Sequence, residues 1–106
     1  MPRRPRIHYP GALYHVICRG NNKDWIFKSD SEKQEYETLI EQYKNRYGFK
    51  LYSWVILSNH AHLLIEVGDV PLSKIMQGIQ QNYTQWFKRT QKRTGHAFEQ
   101  RYKAIH

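Results

Sequence analysis

The sequence predicts an α+β domain: a four-stranded antiparallel sheet with two helices on one face, in the split βαβ (ferredoxin-like) order βαββαβ. Three observations carry that expectation. Two stretches place apolar residues at helical spacing, and four runs are rich in β-branched and aromatic residues. The middle two runs are separated by only Ser58-Asn59, which reads as a tight hairpin turn although Asn-Gly would be the stronger signal.

The elements follow in chain order. Residues 1–11 hold Pro2, Pro5, Pro10 and Gly11 among Arg3, Arg4 and Arg6, and read as a basic extended arm. Residues 12–19 form a first strand, ended by Gly20-Asn21-Asn22. Ser29-Asp30-Ser31-Glu32 has capping-box spacing, and Tyr36, Leu39, Ile40, Tyr43 and Tyr47 line one face of a helix closed by Gly48. Residues 50–57 and 60–67 are the hairpin strands. Pro71 and Gly95 bracket a second helix, with Leu72, Ile75, Met76, Ile79, Tyr83, Trp86 and Phe87 on its apolar stripe. Residues 98–105 form a last strand.

Residues 1–106 are expected to be one domain. A lone cysteine, Cys18, allows no internal disulfide and fits a reducing, cytoplasmic setting. The longest apolar runs, residues 55–57 and 63–65, are far too short to span a bilayer. The formal net charge is +8. Its distribution says more than its size. Residues 1–28 carry six Lys or Arg against Asp24, and residues 74–106 carry seven against Glu99, whereas residues 29–48 are mildly acidic. Basic ends around an acidic middle point to a polyanion such as nucleic acid.

His60-Ala61-His62 is the most informative short run. On a strand, alternate side chains share a face. Ala61, Leu63, Ile65 and Val67 suit the helix-covered side, leaving His60, His62 and Glu66 on the open side. Two imidazoles two residues apart can reach one metal ion, each offering a neutral nitrogen. Spacing alone fits two histidines that merely sit on a polar sheet face better than it fits a metal site. Glu66 reads either as a carboxylate supporting such a site or as a solvated edge residue. His15 and Arg19 share a parity on the first strand and are candidates to border the site, with their face undetermined.

At these residues the chain resembles the IS200-like transposases, and especially the REP-associated tyrosine transposases of the HUH nuclease group. The resemblance runs through residues 4–11, Tyr14-His15-Val16, Arg19-Gly20-Asn21-Asn22, residues 59–66, Gly95-His96 and residues 101–105. It implies a metal-dependent nuclease and strand transferase with Mg²⁺ or Mn²⁺ on His60 and His62, acting on single-stranded or hairpin DNA. A tyrosine attacks the phosphate and forms a 5′-phosphotyrosine link, so rejoining needs no ATP. In the same reading Arg3, Arg4, Arg6, Arg19, Asn21, Asn22, Lys23, Arg101 and Lys103 contact DNA. Relatives work as monomers or as homodimers, and the resemblance does not choose.

The family's nucleophilic tyrosine lies on a helix after the last strand, in a stretch like Tyr-Ile-x-x-Asn-Pro. This sequence ends at His106, where that helix would begin. A truncated core is therefore expected, lacking the nucleophile and a third metal ligand, and inactive on its own. Tyr83, Tyr36, Tyr43 and Tyr47 belong to apolar helix faces rather than to an active site. Two other readings stand beside the transposase core: a non-catalytic nucleic-acid-binding module of the same element order, and an inert remnant of a mobile element.

Overall fold

The computed structural model describes residues 9–20, 26–27, 29–91 and 102–105. Their elements run β1 (Leu13–Arg19), α1 (Asp30–Tyr47), β2 (Lys50–Ile56), β3 (His60–Glu66), α2 (Leu72–Gln91) and β4 (Lys103–Ile105). The strands form one antiparallel sheet in the order β2-β3-β1-β4, the expected split βαβ arrangement. Expected and observed boundaries differ by a residue at Ala12, Leu57 and Val67. The last strand is shorter than expected: Tyr102 precedes it, while residues 98–101, and Gly95 as the close of α2, lie outside the described residues.

Local chemistry sets the element ends. Ser29 Oγ accepts from the Glu32 amide, satisfying one of the donors that α1 leaves open at its start. At the other end Gly48 adopts φ 73°, where a side chain would be strained, and its amide donates to the Lys44 carbonyl. The Gly11 amide donates to the Val67 carbonyl, which ties the entry of β1 to the exit of β3.

Alternation then builds the core. Tyr14, Val16 and Cys18 of β1 and Ala61, Leu63 and Ile65 of β3 are buried on one side of the sheet. Both helices cover that side with their apolar stripes, including Tyr36 and Ile40 of α1 and Ile75, Ile79 and Tyr83 of α2. Burial of each large apolar side chain stabilises the fold by roughly 1.5–3 kcal/mol. Tyr36, Tyr43 and Tyr83 are core residues, as their helical spacing predicts, and Tyr47 is half-buried against the same core.

One irregularity was not expected. The β2–β3 register slips between Leu51 and Ser53, a bulge at Tyr52. It sends both Tyr52 and Ser53 to the open side and turns Trp54 towards the helices, where its Nε1 donates to Glu37 Oε1 at 2.9 Å. Among the described residues no helix is long and apolar enough to cross a membrane.

Candidate functional site

The Ser58-Asn59 turn determines where His60 begins. The Leu57 amide donates to the His60 carbonyl at 2.8 Å, closing a two-residue turn. The turn's own carbonyls are also held: Asn59 O accepts from the Gly20 amide at 2.8 Å, and Ser58 O from Phe27 at 2.9 Å. The end of β1 and the turn are thereby locked together, which sets Arg19 opposite His60 in the sheet.

Buried and half-buried residues alternate along β3, so His60, His62, Leu64 and Glu66 share the open face. The His60 and His62 rings lie side by side, with centroids 4.9 Å apart. His60 Nδ1 is 2.7 Å from Asn59 Oδ1. A primary amide oxygen cannot donate, so the proton in this bond sits on His60 Nδ1, and in the neutral ring Nε2 then carries the lone pair. His62 stands opposite Ile17, with His15 and Arg19 on its two diagonals across β1. The His15 contact is a hydrogen bond, Nε2 to Nδ1 at 3.0 Å. Partial burial, followed by the nearby His60, His15 and Arg19, holds the His62 pKa below the ordinary imidazole value. The neutral form, which is the metal-ligating form, is thus the favoured one.

These donors suit a divalent ion as far as they go. Among the described residues His60 forms its side-chain hydrogen bond through Nδ1 and not through Nε2, and His62 is held neutral on the same face. Among the described residues no group of three or more His, Cys, Asp or Glu is placed to hold a metal ion. His60 and His62 therefore supply two donors, and any further donors come from water, substrate or residues outside those described.

Arg19 and Lys103 lie on the same open face: Arg19 is opposite His60, and Lys103 is opposite Ile17 on the far side of β1. Both are exposed, and neither forms an ion pair among the described residues. Arg3, Arg4, Arg6, Asn21, Asn22, Lys23 and Arg101 lie outside the described residues. Glu66 belongs to a different part of the face. It accepts from the Tyr52 hydroxyl at 2.8 Å and lies 3.8 Å from Lys50 Nζ. Four residues of strand put it about 13 Å from His62, so it is not a ligand of the same ion. Asn59 is a contact that sequence reasoning did not assign, and His15 was expected only as a residue bordering the site. His15 had given a signal through its shared parity with Arg19, but only the β1–β3 register brings it to His62.

The sequence model of the family described as Transposase IS200 like matches residues 8–106. The chain belongs to the IS200-like transposase family. No curated protein matches it. Among solved structures, a REP-associated tyrosine transposase bound to a REP hairpin superposes with a TM-score of 0.74 at 19% identity, over 100% of this chain and 63% of that one. A Deinococcus radiodurans R1 protein assigned to the transposases gives 0.74 at 11% identity, over 99% of this chain and 85% of that one. At these identities the likeness carries the fold, and this transposase chain spans 63% of the length of the hairpin-bound neighbour.

Proposed function

We propose that this IS200-like transposase chain is a DNA-handling core that binds single-stranded or hairpin DNA across its open sheet face, with His60 and His62 holding a divalent ion, Mg²⁺ or Mn²⁺. One observation carries the reading. The two imidazoles of β3 lie together on the uncovered face of the sheet, beside the exposed cations Arg19 of β1 and Lys103 of β4. The hairpin bound to the structural neighbour supports the choice of DNA as partner.

Each residue has a separate part. Arg19 and Lys103 bind backbone phosphates and hold the strand over β1 and β3, without reading sequence. Asn59 keeps the proton on His60 Nδ1, so Nε2 faces the ion as a lone-pair donor. When bound, the ion supplies charge stabilisation to the scissile phosphate. Where the family's tyrosine is present, its hydroxyl attacks that phosphorus, the phosphorus–oxygen bond to the 3′ oxygen breaks, and the strand stays linked through 5′-phosphotyrosine. None of the described tyrosines suits that role. Tyr14, Tyr36, Tyr43 and Tyr83 are buried, Tyr47 and Tyr102 pack against the core, Tyr52 bonds to Glu66 at the far end of the sheet, and Tyr9 precedes β1 at that same end. Residues 1–106 alone are therefore expected to bind DNA without forming a covalent adduct.

The test is binding of a labelled hairpin with single-stranded flanks, with and without Mn²⁺, to this chain and to the His60→Ala/His62→Ala double variant. The expected result is binding strengthened by Mn²⁺ in the parent and insensitive to Mn²⁺ in the variant. Equal, metal-indifferent binding by both would leave a plain nucleic-acid-binding module. No binding to any nucleic acid would leave an inert remnant.

A further inference from the structure

We infer that His15 is a positioning residue for the candidate metal centre: its Nε2 accepts the Nδ1–H of His62, fixing the tautomer that leaves His62 Nε2 as a metal-facing donor. The inference rests on the metal reading proposed above.

A hydrogen bond between two imidazole nitrogens needs one donor and one acceptor. The His15 Nε2 to His62 Nδ1 contact of 3.0 Å allows two arrangements. If His15 donates, the single proton of neutral His62 sits on Nε2 and that nitrogen cannot bind an ion. If His62 donates, Nε2 carries the lone pair. Only the second arrangement gives His62 the state that Asn59 imposes on His60, whose Nδ1 likewise bears the proton. Each candidate ligand then has its Nδ1 turned to a neighbouring acceptor and its Nε2 available. Such partners commonly fix ring orientation and raise the basicity of a ligating histidine.

The sheet makes this pairing available. His15 is opposite Leu64, one pair removed from His62, and reaches it on the diagonal. The side chain is exposed on the open face, opposite Ile105 of β4, and takes no part in the buried core. Substitution at His15 should therefore leave the fold intact. A direct role as a ligand is the rival assignment, and it demands an imidazole rather than any acceptor of similar reach.

Cobalt(II) titration followed by visible absorption separates the two. His15→Phe fills the same space without an acceptor, whereas His15→Gln places an amide oxygen close to the imidazole Nε2 position. The expected result is a loss of Co²⁺ affinity of about 10–100-fold in His15→Phe, with His15→Gln near the parent in affinity and in absorption spectrum. Parent-like affinity in His15→Phe would overturn the inference. So would His15→Gln as weak as His15→Phe, or with an altered spectrum, since that outcome makes His15 a ligand. Failure of the metal reading itself looks different: the parent shows no Co²⁺ binding, or His60→Ala/His62→Ala binds as the parent does. Thermal melting of each variant reports whether it has folded.

Discussion

Cys18 lies on the helix-covered side of β1, fully buried, with the Tyr36 hydroxyl 3.5 Å from its sulfur and donating more closely to Gln80 Oε1 at 3.2 Å. A thiolate there would lose its water. Burial accordingly pushes the thiol from 9.0 up to about 12, against a smaller lowering by the Tyr36 hydroxyl. Burial likewise raises Tyr36 and Tyr83. An acid whose folded pKa is raised binds its proton more tightly when folded. Its stabilising contribution is complete below pH 9 and is lost as pH climbs towards 12, by about 1.4 kcal/mol per unit of pH. The melting temperature is therefore expected to fall steeply between pH 9 and 12, and less steeply in Cys18→Ala, where Tyr36 and Tyr83 still contribute. A melt series for both proteins that gave parallel curves would show that the thiol does not ionise on unfolding. At pH 8.5 iodoacetamide should leave the native protein unmodified and label it only after denaturation, as mass spectrometry can read.

At the level of elements, α2 comes close to α1 at Gly78. A Cβ built there would lie 2.6 Å from Tyr43 Cε1 and 2.9 Å from Cζ. The ring cannot easily give way, because Asn82 Nδ2 donates to its hydroxyl at 2.6 Å and to the Gly78 carbonyl at 2.8 Å. Gly→Ala inside a helix ordinarily stabilises by about 1 kcal/mol. Here the clash should reverse the sign, with Gly78→Ala destabilising by roughly 1–3 kcal/mol in urea unfolding. Gly78→Ala in a Tyr43→Leu background should recover most of the helix gain. The helices themselves were legible because their signals are local: the Ser29 cap, the Gly48 stop and the apolar stripes from Tyr36 to Tyr47 and from Leu72 to Phe87. The paired histidines were legible for the same reason, since parity places His60 and His62 on one face whatever the partner strand. The Tyr52 bulge was not, because β2 carries no glycine or proline to mark it and its register is set by Leu63 and Ile65 across the sheet. The contact of His15 with His62 was not legible on similar grounds: it is a property of strand pairing between residues 47 positions apart.

The whole molecule is two-sided. The helix layer covers one face of the sheet and carries the acidic side chains of α1, including Glu37 beside Trp54. The open face carries the histidines with Arg19 and Lys103, and it also exposes apolar side chains, among them Val55 and Ile105. A nucleic acid can satisfy both characters, its phosphates meeting the cations and its bases the apolar surface. On the α1 side of the helix layer, Glu37 and Glu41 repel a backbone phosphate. Phosphate neutralisation releases counterions, so the affinity of the chain for the hairpin should fall linearly on a logarithmic salt scale. Arg19→Ala and Lys103→Ala should each weaken binding to all sequences alike and reduce the salt slope by about 1, the mark of one lost phosphate contact. The slope should stay unchanged in Glu41→Gln, which removes a charge from the exposed side of α1. Fluorescence anisotropy between 50 and 300 mM KCl on the parent and the three variants decides the matter. If Glu41→Gln alters the slope while Arg19→Ala and Lys103→Ala leave it alone, the DNA lies across the helices, and the open face with its histidines has some other use.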